Sequence, residues 1–172
     1  MSRMADAAIA IPGMIADFLE RRSTVGVAAT RDRERRPRAH HLSGWRVADE
    51  GRELLCLVGR GFTAGLLEGL REFPAMAVTV EEIGPHETYQ FKGVVVGSRP
   101  AEPSDREIWE RLRARFSAAV QRVDPHFGLT DRQLRDFIPP PELALRLALR
   151  EIFLQTPGPG AGRRLVPPPE QP

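Results

Sequence analysis

Residues 87–98 read ETYQFKGVVVGS. In an extended chain successive side chains point to opposite faces, so Tyr89, Phe91, Gly93 and Val95 share one side. Thr88, Gln90, Lys92 and Val94 share the other. This is a long strand with one apolar face, and shorter ones flank it. Met76–Val80 (MAVTV) precedes it across the turn signal Gly84-Pro85. Further upstream, Thr24–Thr30 (TVGVAAT) and Arg38–Val47 lie either side of the charged, turn-prone segment Arg31–Pro37. Asp49-Glu50-Gly51 then makes a hairpin turn into Leu54–Val58. Downstream, Leu143–Gln155 has a length that suits helix or strand. The strict alternation of Leu143, Leu145, Leu147 and Leu149 selects strand.

Four helical segments complete the pattern. Met4–Arg22 is a lead-in helix with Pro12 able to open it. Thr63 is an N-cap for Thr63–Arg71, in which Leu66, Leu67 and Leu70 share a face. A long helix follows Pro103, with Ser104 and Glu107 spaced as a capping box, and runs to Val123. Thr130–Phe137 is a second short one. Strands joined by turns, without regular βα alternation, predict an antiparallel barrel of mainly β (α+β) class with peripheral helices and one long inserted helix. A chain of 172 residues, 41% hydrophobic, suits one domain, drawn here as 1–165, with 166–172 as a disordered Pro-rich tail.

Composition narrows function by exclusion. No apolar run approaches the roughly 20 residues that cross a bilayer, so no membrane partner is expected. The N-terminus lacks the pattern of a secretory signal, and Cys56 is the only cysteine, which points to a cytoplasmic protein. Lys92 is the only lysine, so 24 of the 25 basic residues are arginine, interleaved with Glu and Asp to a net charge of +2. Nucleic-acid binding would call for a basic face with stacking aromatics, and the densest basic run, Arg31–Arg38, contains none.

Several short motifs have chemical potential, each with an ordinary reading beside it. Gly59–Gly65 (GRGFTAG) follows a strand and opens a helix, but Ala64 stands where a dinucleotide fingerprint needs glycine. Arg60, Thr63 and backbone N–H groups there suit a phosphate, or form a plain glycine-rich turn. Arg38–Ser43 (RAHHLS) offers an arginine that can grip a phosphate, or a strand with one solvated side. Gln90 and Lys92 share a face and need partners if buried. His40, His41, His86 and His126 have no metal-site spacing, so no metal is expected, though His40 or His41 leaves a haem ligand open. Cys56 sits in an apolar strand as an inert thiol.

Taken in order, the segments VGVAAT, RPRAHHLSGWRV, LLEGLREFPAMAVTV, ETYQFKGVVVG and IFLQTPGPGAG resemble the pyridoxamine 5'-phosphate oxidase-like family of FMN-binding split β-barrels, from about Phe18 to about Leu165. The resemblance implies a homodimer with a flavin at the interface. It implies a flavin phosphate held by Arg38, Ser43 and the Arg60–Thr63 turn, with Gln90 reaching the flavin from the partner subunit and Lys92 beside it. Strict alternation puts Arg38 and Ser43 on opposite faces, so both reach one ligand only across a bulge. The C-terminal arginine and tryptophan of true pyridoxamine phosphate oxidases have no counterpart in QTPGPGAG. The function implied is an FMN-dependent oxidoreductase acting on a small molecule, with deazaflavin as a cofactor alternative. The other class left open is a flavin- or haem-binding carrier without turnover.

Overall fold

The structure is a computed structural model describing residues 8–32, 34–61 and 63–166. Its strands are β1 (Thr24–Arg31), β2 (Pro37–Ala48), β3 (Glu53–Gly59), β4 (Ala75–Glu82), β5 (Thr88–Pro100), β6 (Pro141–Leu154) and β7 (Arg164–Val166). Its helices are α1 (Gly13–Arg21), α2 (Thr63–Glu72), α3 (Pro103–Val123) and α4 (Asp131–Phe137). Every strand pairing is antiparallel, in the order β3-β2-β1-β4-β5-β6-β7. β3 also pairs with β6, which closes six strands into a barrel and leaves β7 as an extension.

The barrel is filled by the inward faces that the alternation marks. Phe91, Val78, Leu54, Leu145, Leu147 and Leu149 are fully buried in one cluster. Burying a side chain the size of Phe91 stabilises the fold by about 1.5–3 kcal/mol. The Glu53 carboxylate, at the closure seam, accepts two hydrogen bonds from Arg146 at 2.7 and 2.8 Å. α1 covers the end where β1 begins, burying Ile15, Phe18 and Leu19. Trp45 Nε1 donates to the Leu19 carbonyl at 3.2 Å, and Phe18 meets Tyr89 edge-on at 4.9 Å between ring centroids. At the other end of β1, α2 adds Leu66 and Leu70 to the same core.

α3 and α4 lie outside the barrel and form a second core of Trp109, Phe116, Leu134 and Ile138. Trp109 Nε1 ties them together by donating to Ile138 O at 2.8 Å. Close approach of α3 to β2 depends on Gly44, where a Cβ would stand 3.2 Å from the Ile108 side chain.

Three local expectations need correction. The lead-in helix starts at Gly13 rather than Met4: residues 1–7 lie outside the described residues, and Ile9 and Ile11 instead donate backbone bonds to Leu149 and Gly51. The cap of α3 is Glu102, two residues before Ser104, because Pro103 takes the first helical position, where its missing N–H costs nothing. The Asp105 carboxylate accepts from the Glu102 N–H at 2.8 Å, so Asp105 fills the role read for Glu107. Finally, Val166, placed in the tail, pairs with Ile152 in β7, and residues 167–172 lie outside the described residues.

Candidate functional site

The outer surface of the barrel carries the arrangement with most chemical potential. Strand register places Ala39, Ala29, Ala77, Lys92 and Glu151 side by side across β2, β1, β4, β5 and β6. A parallel row contains His41, Val27, Thr79, Gln90 and Phe153. Three alanines leave a shallow, flat bed, and a groove of about 430 Å3 opens over Ala29 and Ala77. Arg31, Lys92 and Arg150 stand at its rim, with Glu151 as its carboxylate. Glu151 is itself ion-paired to Arg164. Lys92 extends over the Phe153 ring, Nζ lying 4.4 Å from its centroid. Arg31 lies 4.9 Å from the Phe73 ring. Gln90 Nε2 donates to Thr79 Oγ1 at 3.2 Å. Such a bed suits a planar apolar ring, and its cations suit an anionic tail.

The residues expected to meet one ligand are only partly brought together. Gln90 and Lys92 share the outer face as read. Arg38 pairs with Thr30 at the other end of the face alternation, on the side of Leu42, and lines a separate cavity of about 210 Å3. Arg36, Asp32, Glu34, Glu68 and Glu72 line that cavity too; Asp32 pairs with Arg36 at 2.8 Å and lies 3.8 Å from the Arg38 guanidinium, leaving the acids in excess. Acidic company of this kind answers the charge of Arg38 within the chain and disfavours a phosphate. The bulge required by alternation does exist, between Leu42 and Gly44, but it carries Ser43 into the interior. Its hydroxyl would lie 2.9 Å from a Cβ on Gly59, under Pro139, so Ser43 is enclosed rather than offered to a ligand. Arg60 is exposed beyond β3, and Thr63 is the first residue of α2. Gly61 between them has φ +93°, a conformation glycine adopts without strain.

The glycine-rich segment after β6 is a turn. Gln155 N donates to Thr88 O and Gly162 N to Leu154 O, both at 2.7 Å, which redirects the chain into β7. Arg31 and the alanine bed escaped the sequence reading. Their signal was present in TVGVAATR, where Val27, Ala29 and Arg31 alternate on the face opposite Ala28.

The titratable groups nearby are set by burial. Burial, then the charge of Arg38, lowers the pKa of His40, and burial lowers that of His41. The His41 ring packs on Phe137 at 4.3 Å between centroids, which occupies its face. Burial pushes the Cys56 thiol up, in keeping with an inert core thiol. Burial, aided by the Glu87 carboxylate, raises the Tyr89 phenol to about 12. A histidine whose folded pKa lies below its unfolded value binds its proton more readily when unfolded, so stability is lost as pH falls below about 6.5. The melting temperature is expected to be lower at pH 5.5 than at 7.5, with a smaller difference in His40→Gln and His41→Gln. An unchanged difference in both variants would remove the histidines as its cause. Among the described residues no group of three or more His, Cys, Asp or Glu side chains is placed to hold a metal. No helix among them is long and apolar enough to cross a membrane.

No protein-family model matches the chain, and no curated protein matches it. Solved structures do. A tagged HupZ from Group A Streptococcus superposes with a TM-score of 0.53 at 12% identity, covering 88% of this chain and 99% of that one. A candidate pyridoxamine 5'-phosphate oxidase from Lactobacillus delbrueckii superposes with a TM-score of 0.50 at 11% identity, covering 84% and 93%. The likeness covers most of this chain, at identities that speak for architecture alone. The chain is therefore a split barrel, and the resemblance to pyridoxamine 5'-phosphate oxidase-like proteins read from its sequence holds at the level of fold.

Proposed function

We propose that the chain binds flavin mononucleotide on the outer face of its barrel, between two copies of itself, and serves as an oxidoreductase on a small molecule. The observation that carries this reading is the alanine bed of Ala29 and Ala77 bordered by Arg31, Lys92 and Arg150. Planar rings lie well on small side chains, and the rim cations would neutralise a phosphate. In this reading Lys92 and Arg31 hold the phosphate, while Gln90, steadied by Thr79, orients the ring edge. Bound flavin would supply hydride transfer, and the protein would supply placement and charge. A second copy is the natural cover for the half-exposed row of Val27, Thr79 and Gln90, and it would exclude water from the ring. Cytoplasmic residence belongs to the same reading and is supported by the single cysteine, which is buried and has no second thiol in the chain to pair with.

The test is a titration of purified protein with FMN, followed by the visible flavin absorbance, with the oligomeric state read by light scattering. Lys92→Ala is expected to raise the dissociation constant by roughly ten- to a hundredfold, from a charge-assisted bond worth about 1.5–3 kcal/mol. Arg38→Ala, whose charge is met by Asp32, is expected to change it by less than about threefold. Equal affinity for wild type and Lys92→Ala would defeat this placement. A deazaflavin in parallel titrations separates the two cofactors. Anaerobic bleaching of the bound flavin by NADH or NADPH separates an oxidoreductase from a carrier.

A further inference from the structure

A second concavity, of about 260 Å3, lies between α1, β2 and α3, at the end of the barrel opposite the alanine bed. Trp45, Ile108 and Leu112 contribute apolar wall. Arg22, Arg46, Arg111 and Arg115 surround it. Glu20 is the one carboxylate in its described lining, and Glu82 reaches Arg22 at 3.7 Å.

The sequence converges these guanidinium groups from three elements. Arg111 and Arg115 sit four residues apart on α3, hence on one helix face, where like charges repel. Arg46 lies on β2 beyond the bulge at Ser43, which resets its alternation. Arg22 follows the last turn of α1. Nearby arginines are answered by acids: Arg99 by Asp105, Arg113 by Asp131 and Arg146 by Glu53. Here Arg46 and Arg111 have no carboxylate oxygen within ion-pair distance among the described residues, and Arg46 acts on Asp105 only through space. Three carbonyls at the C-terminal end of α1, which would repel an anion, are already satisfied. Arg22 N donates to Phe18 O, Trp45 Nε1 to Leu19 O and an Arg115 N–H to Glu20 O.

We propose that this pocket binds a diphosphate group. Several guanidinium forks around one concavity match an anion with adjacent charged centres, each phosphate able to take two parallel N–H···O bonds. Guanidinium groups gathered in this way repel one another, a cost that a polyanion relieves.

Thermal denaturation of the full chain would be followed with sodium pyrophosphate, with ADP, with orthophosphate and with sodium chloride at matched ionic strength. Pyrophosphate is expected to raise the melting temperature well beyond the salt control and to bind at least about tenfold more tightly than orthophosphate. ADP binding as tightly would identify a nucleotide as the source of the diphosphate, and weaker ADP binding the free anion. Arg111→Glu and Arg46→Glu are each expected to weaken pyrophosphate at least about tenfold. Without ligand Arg111→Glu should melt no lower than wild type, because charge repulsion is relieved, whereas Arg46→Glu also loses the attraction of Arg46 for the buried Asp105 carboxylate. Arg132→Glu on α4, at a side chain 91% exposed, should bind pyrophosphate like wild type. The proposal is overturned if pyrophosphate stabilises no more than the salt control, if orthophosphate binds equally well, or if Arg132→Glu weakens binding as much as Arg111→Glu does. FMN affinity of Arg111→Glu should remain that of wild type, which keeps this result separable from the flavin titration.

Discussion

Gly93→Ala is expected to destabilise the chain by about 3 kcal/mol, a fall in melting temperature of roughly 6–12 °C for a chain of this size. A Cβ at Gly93 would stand 2.1 Å from the Ala148 carbonyl oxygen and 3.1 Å from the Leu147 Cδ1. The first of these atoms is backbone, so no side-chain rotation can clear it. β6 cannot retreat either, because its other edge is held by β3, with Leu147 opposite Leu54. Gly97→Ala, four residues along the same strand, is the control. Its new methyl would find only an Arg146 side-chain carbon at 3.9 Å and should be nearly neutral. Thermal unfolding by circular dichroism reads both, and equal melting temperatures for the two variants would refute the clash.

The second large effect concerns Arg99 and Asp105. Asp105 is fully buried at the start of α3 and accepts two hydrogen bonds from Arg99, at 2.6 and 3.2 Å. Burial by itself raises the pKa of a carboxyl; the hydrogen bonds from Arg99 and from the Glu102 N–H outweigh it, and the group titrates below its ordinary value. Arg99→Met leaves the carboxylate buried with only the Glu102 N–H. It should cost about 3 kcal/mol, the lower end for such pairs, since the Arg99 side chain is 32% exposed. The double variant Arg99→Met/Asp105→Leu should recover most of that loss, short of the helix cap, worth about 1 kcal/mol. The sign with pH follows from the lowered pKa. Stability from Asp105 is complete above the unfolded value near 3.9 and is lost as pH falls through the folded pKa. Arg99→Met should therefore narrow its deficit to wild type below about pH 4. A double variant no more stable than Arg99→Met would show that the pair does not act through charge.

Much of the architecture could be read from periodicity because a closed barrel makes each strand obey the same rule. Tyr89, Phe91 and Gly93 are buried, and Leu143, Leu145, Leu147 and Leu149 are too, as their alternation demands. What escaped the reading depends on partners distant in sequence. The pairing of β3 with β6 joins residues about ninety positions apart and leaves no local trace. β7 exists because Ile152 and Phe153 lend it an edge, not because Arg164–Val166 has a strong pattern of its own. The site shows the same divide. Gln90 and Lys92 were legible from one strand. Arg38 has the right residue type but faces acids contributed by α2, and Ser43 is turned inward by an irregularity invisible to strict alternation. Arg31 and Ala77 became neighbours of Lys92 only through register across three strands.

Because β6 is held on one side by β5 and on the other by β3, the ring has a single locking element, and it is the last of the six barrel strands in chain order. During synthesis, then, everything up to Pro140 must wait with two unsatisfied edges, and contacts of such wide sequence separation form slowly. A product cut short before Pro141 would present those edges to its neighbours, an invitation to clump rather than to fold. The vulnerable moment of this protein thus lies on the ribosome, before β6 has emerged.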